Sequence, residues 1–291
     1  MKFDSAHACA VAGQELLPPP IVADVARESY RVRADDIDES RRLSLPGLFR
    51  FLQDAASRHA RRLGFGIEDL EGHRLIWVLC RLRLVLEAPP PRWHESLVVE
   101  TWPAALDRVH AFRDFLLHGA DGERVGAAST RWMALCVDRR RPVVLPAFVQ
   151  RVQVPDRPRA LEVPDTALAM PPAPSAAGAA VEPIFHVHRC DLDFNRHTNH
   201  VRCVEWCLES LPAEAAAGGH VREFDVNYLA ESHVGDALRS RTAAVATADG
   251  GGRVYAHALV RESDGVAIVR ARTVLAEPET HQGRKAARHE Q

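Results

Sequence analysis

The chain has 291 residues, enough for one large domain or two ordinary ones at roughly 100–200 residues per domain. Its 39 acidic and 37 basic side chains nearly cancel, so the basic excess of a general nucleic-acid binder is absent. With 46% apolar and 26% charged residues there is material for a core, and no apolar run approaches the ~20 residues that cross a bilayer. Residues 1–28, with Pro18-Pro19-Pro20 and little periodicity, read as an N-terminal tail. One lysine and the short mixed segment Ala6–Gly13 do not make a secretory signal, so a cytoplasmic protein is expected. The six cysteines (9, 80, 136, 190, 203 and 207) include no C-x-x-C pair and read as reduced core thiols rather than zinc ligands.

Residues 29–150 read as a first domain. Leu48, Phe49, Leu52, Ala55, Ala56, His59 and Leu63 recur at helical spacing, with Pro46 near the start and Gly64 just past the end. Strand-like runs follow at Leu75–Leu86, Ser96–Trp102, His110–Leu117 and Arg124–Val137. Residues 151–183 hold Pro155, Pro158, Pro164, Pro171, Pro172 and Pro174 and then an alanine-rich run, the composition of an extended, semi-rigid connector.

A second domain, residues 184–277, repeats the plan. Val201, Val204, Cys207, Leu208 and Leu211 mark a helix, with Thr198 or Asn199 available as N-cap and Pro212 to end it. Strands are expected at Val221–Leu229, Ala237–Thr247, Arg253–Glu262 and Gly265–Ala276, before a polar tail at 278–291. The segment from Tyr30 to Asp38 resembles that from Phe185 to Asp193, and Asp121-Gly122 and Asp264-Gly265 mark matching hairpins. The offset between copies falls from 155 at Asp36/Asp191 to 143 at Gly122/Gly265, which places extra residues in the first copy, at Leu63–Arg74. One central helix followed by an antiparallel meander, twice, is an α+β arrangement in which each helix packs in the palm of a curved sheet.

The copies differ where chemistry would sit. Asp38-Glu-Ser40-Arg-Arg42 in the first faces Asp193-Phe-Asn195-Arg-His197 in the second. In an extended segment, side chains at i, i+2 and i+4 point the same way, so Asp193, Asn195 and His197 are expected to converge on one pocket. The N–H groups of the helix beginning near His200 would favour developing negative charge there. That combination suits acyl transfer or hydrolysis. Asp, Asn and Thr before a helix are also ordinary cap and turn residues, but the first copy keeps the helix and lacks the Asn and His. His186, His188, His197 and His200 form no clear geometric set, so no metal and no cofactor is expected. Arg139–Arg141 reads as solvated surface, and Trp77, Trp102 and Trp132 as core or pocket wall.

The run from Asp191 to Ser210 resembles the signature of acyl-ACP thioesterases, Asn-x-His-x-Asn-Asn-x-x-Tyr-x-x-Trp and then Glu-Ser. Leu52-Gln-Asp-Ala-Ala56, Ile76-Trp-Val-Leu79, Glu100-Thr-Trp-Pro103, Arg113-Asp-Phe115 and Thr130-Arg-Trp132 extend the similarity from about Tyr30 to Ala276. The resemblance implies a tandem hotdog fold, with an acyl-chain-binding first domain walled by Leu48–Leu86 and a catalytic second domain. It implies hydrolysis of acyl-acyl carrier protein to free fatty acid, ending fatty acid synthesis, with no cofactor. The partner implied is acyl carrier protein bearing a phosphopantetheine-linked acyl chain. The carried-over catalytic set is Asp193, Asn195, His197 and Glu231. Ser232 stands where an older scheme for the family has a cysteine nucleophile, which argues against a Cys/His mechanism. His200 and Cys203 replace the pattern's second Asn and its Tyr. An acyl-CoA thioesterase and a non-catalytic acyl-binding protein are the alternatives, and monomer and homodimer are both open.

Overall fold

A computed structural model of the chain describes residues 20–172, 182–216, 220–247 and 252–276. In the first half, strand β1 (Ala26–Arg31) precedes helix α1 (Leu45–Arg62), short helix α2 (Ile67–Glu71) and strands β2 (Leu75–Leu86), β3 (Ser96–Leu106), β4 (His110–His118) and β5 (Arg124–Cys136). The second half has β6 (Ile184–His186), α3 (His200–Glu209), β7 (Val221–Tyr228), β8 (Ala237–Thr247), β9 (Arg253–Arg261) and β10 (Ala267–Leu275). The strands join in one sheet, in the order β1-β3-β4-β5-β2-β7-β10-β9-β8-β6, with Arg141–Pro142 paired onto β5. The helix and antiparallel meander therefore occur twice, as the repeat implied. β3 outruns its expected end at Trp102 because a register shift between Pro103 and Ala105 lets a proline sit within the strand.

Local chemistry explains the helices. The Ser44 hydroxyl accepts the Gly47 N–H at 3.1 Å to open α1, Pro46 lies in its first turn, and Gly64 takes φ +73° just past its end. Leu48, Phe49, Leu52 and Ala55 form the buried stripe, packed against β3 and β1. Of the two candidate caps for α3, Asn199 does the work: its side chain accepts the Val201 N–H at 2.9 Å. Helix α2 fills the insertion expected at Leu63–Arg74.

The two halves share one core. Leu48, Phe49 and Leu52 cluster with Val201, Val204, Cys207, Phe224 and Val226, and the Phe49 and Phe224 rings meet edge-on at 5.9 Å. Burial pushes the Cys203 thiol up to about 12 and holds Cys207 well above its ordinary value, as befits reduced core thiols. The halves join where β2 pairs antiparallel with β7, from Val85↔Glu223 to Arg81↔Asn227. Leu82 and Leu84 face the shared core, so Arg81 and Arg83 project from the opposite face. There Arg81, only 2% exposed, forks onto Asp225 at 2.8 and 2.7 Å and donates to the carbonyls of Pro164 and Thr166 at 2.6 and 2.7 Å.

Those carbonyls belong to the connector, which is no free-standing spacer. Arg159 and the Ala160 N–H bind Asp114, Arg83 holds the Glu162 carbonyl, and the Leu168 N–H donates to Asn227. The outward polar residues of the strands thus tie the connector flat along the sheet, which its own composition does not encode. The alanine-rich run at 173–181 lies outside the described residues, as do 1–19 and 277–291. Structure also begins inside the expected N-terminal tail: Ile21–Val22 pairs with Val152–Gln153, and β1 starts at Ala26, where its alternating pattern meets the open edge of β3.

Replacing Arg81 by Ala should cost about 3–5 kcal/mol in denaturant unfolding, because it strands the Asp225 carboxylate on a covered face. The Arg81→Ala, Asp225→Ala double variant should lose less than the sum of the single losses. Additive losses would show that the pair does not act as a unit.

Candidate active site

Residues 193–197 are not extended. Leu192 bridges to Thr198, the Asp193 N–H donates to the His197 carbonyl at 2.8 Å, and Arg196 takes φ +64°. Asp193 Oδ1 accepts the N–H groups of Asn195 at 2.9 Å and His197 at 3.1 Å, closing an Asx-type turn. The expected strand-like alternation is therefore corrected to a tight turn, stabilised by the aspartate itself. Asp193, Asn195 and His197 nonetheless line one cavity.

The first copy makes the same turn. Asp38 Oδ1 accepts the N–H groups of Ser40 at 2.9 Å and Arg42 at 3.2 Å, Arg41 takes φ +60°, and Ile37 bridges to Leu43. The aspartate is thus a conformational element common to both halves. The second half adds the amide and the imidazole.

Glu231 follows β7, and the turn is docked beside it. The Thr198 N–H donates to the Ser232 carbonyl at 2.9 Å, just as the Leu43 N–H donates to the Pro91 carbonyl at 2.8 Å. Glu231 therefore stands where the first copy has Pro89–Pro91. His197 Nε2 lies 3.5 Å from Glu231 Oε2, whereas the first copy's Arg42 donates to the Pro90 carbonyl at 2.8 Å. Asp193, Asn195, His197 and Glu231 are brought to the same cavity.

Sequence reasoning missed two neighbours. Arg140, from the run read as solvated surface, forms an ion pair with the same Oε2 of Glu231. Its residue takes φ +50° at the bend after β5, which carries it across to the other half. No local signal marks a contact between positions 91 apart. The second is His233, two residues beyond Glu231, whose ring stands perpendicular to that of His197 at 5.1 Å. One donor atom each from His197, Glu231 and His233 lie within 4.8 Å of one another, a grouping that contains none of His186, His188 or His200.

The remaining polar groups are committed. Ser232 is buried and its hydroxyl donates to Thr198 Oγ1 at 2.7 Å. Cys203 lines the cavity as a protonated thiol, since burial pushes it up to about 12. Burial pushes His200 down to about 4, so it is a neutral ring at pH 7, edge-on to Tyr228 at 6.0 Å. The expected free N–H groups of α3 are fewer than supposed, because Asn199 occupies that of Val201.

The cavity measures about 240 Å³ and crosses between the halves. Asp193, Asn195, His197, Glu231 and Ser232 line it from the second half. Its apolar walls come from α1 through Ala56 and Ala60, from β2 through Ile76–Leu79, and from Phe65, Leu106, Phe112 and Trp132. Trp77 and Trp132 line it, whereas Trp102 is buried under the guanidinium of Arg157 at 4.2 Å.

The family model of the acyl-ACP thioesterase N-terminal domain matches residues 23–150, and that of the C-terminal domain matches residues 175–277. A chloroplastic acyl-acyl-carrier-protein hydrolase of Cuphea viscosissima is 28% identical over 259 residues, covering 86% of this chain and 61% of the relative. The chain thus spans about three fifths of the length of that curated relative. Among solved structures, an acyl-ACP thioesterase from Bacteroides thetaiotaomicron superposes with a TM-score of 0.73 at 24% identity, over 86% of this chain and 97% of that one. The 12:0-ACP thioesterase from Umbellularia californica gives 0.74 at 24% identity, over 87% and 94%. These likenesses show the tandem hotdog fold. With both halves matched by the two family models, the chain belongs to the acyl-ACP thioesterase family.

Proposed function

We propose that this chain hydrolyses acyl-acyl carrier protein, releasing a free fatty acid and the carrier's thiol. The observation that carries this reading is one cavity walled largely by apolar residues of the first half and lined also by the His197–Glu231 pair of the second. The acyl chain would lie against α1 and β2, and the thioester would stop between Asn195, His197 and Glu231. Residues 29–150 thus bind the chain and residues 184–277 carry the chemistry. Five free cysteines among the described residues support a reducing compartment, the cytoplasm, as its place of work.

The leaving group sets the demands. A thiol has pKa ~8.5 against ~16 for water, so expulsion of sulfur is easier than generation of the nucleophile. Arg140 and His197 both approach Glu231 Oε2, which leaves Oε1 to take a proton from water. Water then attacks the thioester carbonyl, and the C–S bond breaks as the tetrahedral intermediate collapses. The thiolate takes up the proton that Glu231 acquired. Asn195 positions the carbonyl or the water by its amide, and His197 orients the carboxylate. Asp193 shapes the turn, because its Oδ1 is already occupied by two N–H groups.

Glu231→Gln and His197→Ala should each lower kcat at least ~100-fold with the fold intact, and near-normal turnover in either would remove that residue from the scheme. Ser232→Ala and Asp193→Asn should keep most activity, since the first group packs and the second variant retains an acceptor for both N–H groups. A ~100-fold loss in either would return a chemical role to that side chain. Fatty acid release from acyl-ACP and from acyl-CoA of matched chain length tests the substrate. Higher kcat/KM on the carrier protein is expected, and equal or better use of acyl-CoA would overturn that assignment.

A further inference from the structure

We infer that His197, Glu231 and His233 form a binding site for a divalent transition ion of the zinc class, whose occupation blocks the hydrolytic pair. The blocking half rests on the hydrolase reading above; the binding half does not.

The donor set points to the class of ion. Two imidazoles and one carboxylate suit zinc, cobalt or nickel, whereas magnesium and calcium take oxygen. A tetrahedral ion with ~2.0–2.1 Å bonds needs donor atoms roughly 3.4 Å apart. His197 Nε2 and Glu231 Oε2 stand 3.5 Å apart, and His233 offers a ring nitrogen within 4.8 Å of a donor atom on each of the other two residues. The rings of His197 and His233 stand perpendicular at 5.1 Å, and His197 and Glu231 both line the cavity, so an ion held there would meet whatever enters it.

The segment carrying two of these ligands is held from behind. The His233 N–H donates to Asp236 at 2.9 Å, and Arg261 donates to both Asp236 at 3.3 Å and the Glu231 carbonyl at 3.2 Å. Ligands fixed by such outer contacts bind metal with less reordering. Among the described residues Arg140 competes for the carboxylate, and its side chain is 60% exposed, so it can swing to solvent. A bound ion would take Glu231 and His197 together, and with them the base and its orienting partner.

The test uses the full-length protein stripped with a chelator. Cobalt titration, read by the visible absorption of the bound ion, should show one site in the wild type. His233→Ala should weaken that binding by at least ~10-fold, and Arg140→Ala should strengthen it by freeing Glu231. In parallel, zinc should inhibit acyl-ACP hydrolysis reversibly, read as free fatty acid because zinc also binds the thiol product. His233→Ala should escape this inhibition relative to its own zinc-free rate. No cobalt site, or equal cobalt binding in His233→Ala, overturns the site. Cobalt binding without zinc inhibition of an active enzyme overturns the block. Were no thioester hydrolysed at all, the hydrolase reading would fall and the cobalt arm would still decide the site.

Discussion

The pairing of β2 with β7 is the constraint from which the rest of the molecule follows. Each of those strands would otherwise be the open edge of a half-sheet, with unpaired N–H and C=O groups. Joining them satisfies both edges, lays α1 against α3, and fuses the two apolar faces into one core. It also decides where the cavity can lie. β2 supplies part of its wall, and the end of β7 supplies Tyr228 and the approach to Glu231, so a cavity walled largely by one half reaches groups built by the other. The Arg81–Asp225 fork and the connector it grips fasten this seam on the face away from the helices. A buried arginine is tolerable there because its donors are matched by a carboxylate and two carbonyls.

Within that frame the copies have divided the labour. Both keep the aspartate-closed turn ahead of the helix. In the first, Arg42 and Pro90 occupy the places of the imidazole and the carboxylate. A guanidinium is always charged and a proline carbonyl takes no proton, so that pair cannot exchange protons with water. What the first copy gained instead is length. Its helix has 18 residues against 10 in α3, and the insertion after it contributes Phe65, Gly66 and Ile67 to the cavity wall.

Much of this was legible in the chain. Strand-like runs located eight of the ten strands, missing β1 and β6, Asp-Gly pairs located both hairpins, and 3.6-residue periodicity located both long helices, because each is a local pattern facing a single core. The repeat offset even located α2. For the Asp193–His197 stretch, convergence on one cavity was legible and the backbone was not, since an Asx turn and a short strand share the same polar alternation. Its tell was in the first copy, whose Asp-x-Ser makes the same turn without any chemistry. Arg140 and the docked connector were illegible for another reason: they act between halves, where local pattern carries no information about partners. His233 is intermediate, two residues from a recognised carboxylate and brought inward only by the turn that Asp236 closes.

The Arg140 contact bears on why the tandem stays a unit. Glu231 belongs to the second half, yet the guanidinium on its Oε2 comes from the first, across the same boundary that the cavity crosses. A second half alone would present the imidazole and carboxylate without a hydrophobic channel to bring a thioester to them and without the cation that occupies one carboxylate oxygen. A first half alone would bind a chain beside a turn that cannot move protons. Each half thus supplies what the other lacks. The seam between β2 and β7 is therefore as much a part of the proposed chemistry as the residues that touch the substrate.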